Sequence, residues 1–224
     1  HNFTSNAWTS NNNTVGGISV TNLGASGTVL LIGIRAFTGT TVTWNATGNT
    51  VGGSVANSMQ LNATGAASQV LGMFTSNAPA VLTSNTVRNL TNNIGTGTTT
   101  TASVIGISIT SGTPNSTLTQ NTISNLTNTN AAAAAVVTGI QFNGATANLV
   151  ARNQIYGISA ATSSAAAEIN GIRIAGGTTT YRNNMISIGA GTNNAIGTGS
   201  TTGGVNGIFE AGGTNAIVHN SVYI

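Results

Sequence analysis

The triplet Asn-x-[Val/Ile] occurs seven times at near-constant spacing. It begins at Asn13, Asn49, Asn85, Asn121, Asn153, Asn184 and Asn220, with intervals of 36, 36, 36, 32, 31 and 36 residues. A period of this size marks a chain that builds one supersecondary unit repeatedly and stacks the copies. Such a chain has repeated faces in place of a single cleft. A catalytic site would have to break the repeat somewhere.

A second column runs in step with the first. Gly33-Ile34, Gly72-Met73, Gly106-Ile107, Gly139-Ile140, Gly171-Ile172 and Gly207-Ile208 each fall 13 to 16 residues before the next Asn of the series. Around both columns the apolar residues alternate with polar ones, as in Leu82 to Leu90, Leu118 to Leu126 and Val150 to Ile158. That is strand periodicity, and no segment carries an apolar stripe at helical spacing for three turns.

The residue types suggest a geometry. Asn tolerates the left-handed backbone better than most residues, which suits a strand corner. Its side-chain amide both donates and accepts, so stacked copies can bond along a ladder. The Val or Ile two positions on points the same way, into a core. Gly before Ile suits a second corner with no room for Cβ. These features describe a parallel β-helix, in which each coil lays its strands on those of the coil before. The expected fold is all-β, a solenoid of about seven coils, forming a single domain over residues 1–224. Its structural ladder would be Asn13, Asn49, Asn85, Asn121, Asn153, Asn184 and Asn220.

Gly-Ile-x-Ile followed by Asn-x-Ile resembles the right-handed parallel β-helix repeat of the pectate-lyase-like superfamily. The longer wordings Gln120-Asn121-Thr122-Ile123-Ser124-Asn125-Leu126 and Val218-His219-Asn220-Ser221-Val222-Tyr223-Ile224 look like the Asn/Thr/Gly-rich repeats of very large secreted surface proteins of outer-membraned bacteria. The resemblance covers the chain from about Asn11 to Ile224. It implies a right-handed coil and a secreted or cell-surface location. Coils of 31 to 36 residues are long for that family. The extra length is expected in one turn per coil, at Gly95 to Thr101, Thr129 to Ala135, Ala160 to Ala167 and Gly189 to Gly204.

Composition removes several function classes. Charged residues are 3% of the chain, and Lys, Asp and Cys are absent. Disorder would fit that polarity, but the regular Val/Ile/Leu columns supply apolar surface to bury. Five scattered Arg make no basic stripe, so nucleic acid is not an expected partner. The longest apolar run, Thr28 to Phe37, is broken by Gly33 and Arg35 and falls far below the ~20 residues of a membrane span. The absence of Cys excludes a disulfide framework and is compatible with life outside the cell. The chain opens in mid-pattern at His1-Asn2-Phe3, as expected of a processed product or a segment of something longer.

The superfamily's polysaccharide lyases and hydrolases use Asp clusters with Lys or Arg, often with calcium, and neither Asp nor Lys occurs here. A glycosidase needs two carboxylates flanking the bond. Glu168 and Glu210 are the only acids, and they occupy different columns. Glu210 takes the place of Ile109, Phe142 or Ile174, and is expected to turn outward at a strand end or local slip. His219 stands where other coils have Ser84, Gln120 or Arg152, an outward variable position, and His1 is terminal. Two His without Cys or Asp do not make a metal site. The expectations are no catalysis, no metal and no cofactor. Asn-x-[Ser/Thr] sequons such as Asn2, Asn45, Asn62 and Asn115 follow from so Thr-rich a chain.

One surface column has a functional alternative. Thr47 with Thr50, Thr83 with Thr86, and Thr119 with Thr122 hold matching places in three coils, and Ala151, Gln154, Arg182 and Met185 replace them later. Such an array could bind ice or a glycan, although Thr is also simply a good strand former. The leading expectation is structural: an extracellular fibre or filament subunit, or a stalk segment of a surface adhesin. Neither end carries an amphipathic helix, charge cluster or proline block. End-to-end association with copies of itself is therefore expected.

Overall fold

The computed structural model describes residues 7–22, 28–37, 42–63, 68–93, 102–110, 114–129, 134–160, 166–188 and 204–224. Among them every regular element is a strand, and the strands stack into three parallel sheets. The first sheet runs through Ala7–Asn11, Thr43–Thr47, Ala80–Thr83, Thr117–Thr119, Asn148–Ala151, Thr179–Arg182 and Ala216–Val218. The second runs through Thr14–Val15, Thr50–Val51, Thr86–Asn93, Thr122–Asn128, Gln154–Ser159, Met185–Ser187 and Ser221–Tyr223. The third contains Val29–Ala36, Ser68–Thr75, Ala102–Ile109, Ala135–Asn143, Glu168–Gly176 and Val205–Glu210. Each pass of the chain visits the sheets in this order, so the protein is a parallel β-solenoid. The coil count is slightly below the seven expected. The third sheet makes only five coil-to-coil pairings, and the last pass adds to the first two sheets alone.

The register is set by the motifs. Val15, Val51, Val87, Ile123, Ile155, Ile186 and Val222 stand in one column. Val51, Val87, Ile123 and Ile155 are fully buried. At the two extremes the column opens: Val15 is half-buried and Val222 is 46% exposed. Larger side chains fill the remaining interior. Trp8 stacks on Trp44 with ring centroids 6.0 Å apart, and Phe142 meets Tyr181 edge-on at 6.3 Å.

The second sheet has one irregular coil. Val87 pairs with Val51 and Leu90 with Met59, so seven residues, Gly52–Ser58, stand where Arg88 and Asn89 serve in the next coil. The Ser58 hydroxyl closes this loop by accepting from the backbone N–H groups of Gly53 and Gly17. Of the stretches expected to hold the extra coil length, Gly95 to Thr101 lies outside the described residues, as do the central parts of the other three.

Two corner assignments made from sequence need correction. The left-handed residue is the one before each ladder Asn, not the Asn itself. Asn12, Gly48, Ser84, Gln120, Arg152, Asn183 and His219 all have φ between 54° and 67°. This residue turns the chain and leaves the Asn free to point inward. None of the seven is β-branched, as that backbone region requires. The Gly of Gly-Ile is likewise not a corner residue. It lies inside the third-sheet strands and faces the Val/Ile column. A Cβ on Gly72 would lie 2.3 Å from Val87 Cγ1 and 2.4 Å from the Gly106 carbonyl oxygen. The two sequence columns are thus the two halves of one contact across the coil.

Candidate functional site

The seven motif Asn form an unbroken chain of side-chain amides along the solenoid. Each Nδ2 from Asn13 to Asn184 donates to the Oδ1 of the next Asn at 2.9–3.0 Å. Each of those Oδ1 atoms also accepts the backbone N–H of the preceding Asn at 3.0 Å. The second hydrogen on Nδ2 goes back one coil to a backbone carbonyl, that of Ala46, Leu82, Leu118 or Val150 for the four central Asn. From Asn49 to Asn184 every donor and acceptor of the amide is used, and each of these side chains is 1% exposed. Burying a polar group costs little only when it is hydrogen-bonded, and this ladder meets that condition in every interior coil. The amide-to-amide bonds all run the same way, each Asn donating to the Oδ1 of the next coil's Asn, while the second Nδ2 hydrogen ties it to the backbone of the coil before.

A second, shorter ladder escaped the sequence reading. Asn89 and Asn125 adopt left-handed φ values of 56° and 53°, and Gly157 follows them at 63°. Asn125 Nδ2 donates to Asn89 Oδ1 at 3.2 Å, and Asn89 Nδ2 donates to the Gly53 carbonyl. The signal was present in Asn89-Leu90 and Asn125-Leu126, but it spans only two coils.

The Thr pairs lie on either side of the ladder corner. Thr47, Thr83 and Thr119 stack in register in the first sheet. Thr14, Thr50, Thr86 and Thr122 do so in the second. Thr83 Oγ1 and Thr119 Oγ1 are 3.4 Å apart. Except for exposed Thr47, the members of the two triplets are half-buried, so the array is less open than a free surface.

The titratable groups stay apart. Glu168 Oε1 accepts from Asn170 Nδ2 at 2.6 Å, and Glu210 Oε1 accepts from Asn215 Nδ2 at 2.6 Å. Glu210 keeps its register opposite Ile174 and is exposed. His219 is exposed and holds the left-handed corner, while His1 and Asn2 lie outside the described residues. No group of three metal-ligating side chains occurs among the described residues, and no helix there is long and apolar enough to cross a membrane.

Tyr181 is the one strongly perturbed group. Burial pushes its phenol well above the ordinary range, and the Glu210 carboxylate adds to the rise. Its hydroxyl makes no hydrogen bond, and neither does Thr179 Oγ1. A buried orphan hydroxyl destabilises its fold. Tyr181→Phe should therefore raise stability by up to about 1 kcal/mol, read as a higher melting temperature. The raised pKa favours the fold below the unfolded value near 10. Above it the unfolded chain ionises first and stability falls. The variant should lose that part of the alkaline sensitivity.

Against family models, curated proteins and solved structures, the chain finds no match.

Proposed function

We propose that this chain is a non-catalytic structural solenoid, a segment of an extracellular fibre or of a surface-adhesin stalk. The observation that carries this reading is the unbroken, one-directional Asn ladder. The repeat is nowhere interrupted along that ladder to make room for a reacting group. A polar ladder with a facing apolar column can be lengthened coil by coil without new chemistry. The last described coil exposes Ile217 and Val222, which continue the columns of buried Tyr181 and Ile186. A further coil would cover them, whether the same polypeptide continues or a second copy supplies it. Stacking of a second copy is heterologous and propagates in place of closing. The wording of the repeats supports a secreted, cell-surface setting and a right-handed coil of pectate-lyase-like kind.

A second reading rests on the in-register Thr columns, which would present ice or a glycan with hydroxyls at the coil spacing. The array is replaced by Ala151, Gln154, Arg182 and Met185 in later coils, so it takes second place.

Electron microscopy and scattering of the isolated 224-residue chain test the proposal. Unbranched rods that lengthen with concentration, little affected by salt, are expected. Val222→Asp should shorten them by placing a charge in the apolar column. Monomers at high concentration that retain ice or glycan affinity would contradict it. Turnover of polygalacturonate or alginate, lost in Glu210→Gln, would contradict the non-catalytic claim.

A further inference from the structure

The Arg residues stand far apart in the sequence, but the coil sorts them. Arg35 and Arg173 lie in the third sheet with Glu168 and Glu210, and these four charges cancel. Arg88 belongs to the second sheet, Arg182 ends a strand of the first, and Arg152 sits at the corner between them. The whole formal charge of +3 is therefore carried on one side of the solenoid. Neither Glu lies on that side, and none of its three guanidiniums has a hydrogen bond or ion pair among the described residues. The Nε of Arg88 is buried without a partner.

Two rails run along this side, parallel to the axis. The first follows the Asn-ladder corner through Arg152, Arg182 and His219, one in each of three successive coils, and all three are exposed. Arg152 and His219 hold the left-handed corner, so their side chains point out where the following Asn points in. The second rail is an outward column of the second sheet, reading Arg88, Ser124, Tyr156, Ser187 and Tyr223 in coil order. Tyr156 is 40% exposed and Tyr223 is 65% exposed. Small Ser187 stands between the two rings, which are about 10 Å apart along the axis. Exposed Gln154 and Met185 occupy the strip between the rails.

We infer that these rails bind single-stranded nucleic acid. The phosphates lie along Arg152, Arg182 and His219, and the bases lie against Tyr156 and Tyr223. A guanidinium matches a phosphate through two parallel hydrogen bonds. Every base has a π face for a tyrosine, so no sequence is preferred. The corner is convex. A membrane meets it along one line, whereas a linear polymer follows it. An acidic glycan satisfies the guanidiniums but gives the rings only C–H contacts. A duplex keeps its bases stacked on one another and away from the second rail. The site goes beyond the structural role, and coil stacking leaves both rails facing outward.

The test is fluorescence anisotropy of a labelled oligothymidylate of about 8 nucleotides titrated with the folded protein. A Kd on the order of 10–100 μM is expected at low salt. The logarithm of the affinity should fall with that of salt with a slope between about −1 and −2, at about 0.7 per neutralised phosphate. Arg152→Gln and Arg182→Gln should each weaken binding about three- to tenfold and flatten the slope. Tyr156→Ser and Tyr223→Ser should each weaken it about fivefold or more and leave the slope alone. All four side chains are exposed, so the fold should survive. Arg35→Gln removes the same charge from the third sheet and should change nothing. Equal weakening by Arg35→Gln would show attraction to net charge alone and overturn the site. No binding at low salt, or full affinity in both Tyr variants, would overturn it too. So would tighter binding of the duplex, of a heparin fragment or of phosphatidylglycerol vesicles. Each outcome is read on the monomer and is independent of coil stacking.

Discussion

Gly106→Ala is expected to destabilise the solenoid by about 3–4 kcal/mol, roughly a 10 °C loss in melting temperature for a chain of this size. The added Cβ would lie 2.5 Å from Ile123 Cγ2 and 2.6 Å from the Gly139 carbonyl oxygen. The first neighbour is a β-branched side chain with one preferred rotamer. The second is backbone of the next coil, fixed by parallel pairing with its neighbours on both sides. Neither can withdraw cheaply. Trimming Ile123 to Ala in the same chain should recover part of the loss and leave the carbonyl clash. The double variant should therefore cost less than the sum of the singles by more than about 1 kcal/mol. Additive losses would show that the two columns do not touch.

Asn121→Ala should cost about 3 kcal/mol, because it leaves several buried groups unpaired at once. Asn85 loses the acceptor for both its backbone N–H and its Nδ2, and the Leu82 carbonyl and Asn153 Oδ1 each lose a donor. Thr122→Ala, one residue on, removes a half-buried side chain pointing away from the core and should cost under about 0.5 kcal/mol. Thermal unfolding of the two variants under one set of conditions measures the contrast. Equal shifts would refute the inward and outward assignment.

The fold was legible because its two main contacts repeat in the sequence. Asn-x-[Val/Ile] marks the ladder and the column behind it, and Gly-Ile marks the strand that packs against that column. The reasons assigned to single residues were less legible. Asn in a turn suggests a left-handed backbone, yet Ser84, Gln120 and Arg152 take that role. A one-dimensional pattern does not say which of two adjacent residues turns and which points in. Glycine within a strand suggests a bend or bulge. Here it is a close approach to a β-branched partner in a different strand, which only the assembled coil reveals. The outward columns of the third sheet were invisible for a related reason. Leu30, Gln69, Ser103, Val136 and Glu168 share a register but no residue type. The register appears only once the strands are paired.

The central claim is that the motif amides form a buried, fully bonded ladder. Side-chain amide hydrogen exchange, followed by nuclear magnetic resonance, tests it most directly. The Nδ2 hydrogens of Asn49, Asn85, Asn121, Asn153 and Asn184 should exchange slowly, opening only with the coils around them. Those of exposed Asn11 and Asn115 should exchange at once. Rapid exchange of the five interior amides in the folded protein would contradict the ladder and the structural role built on it.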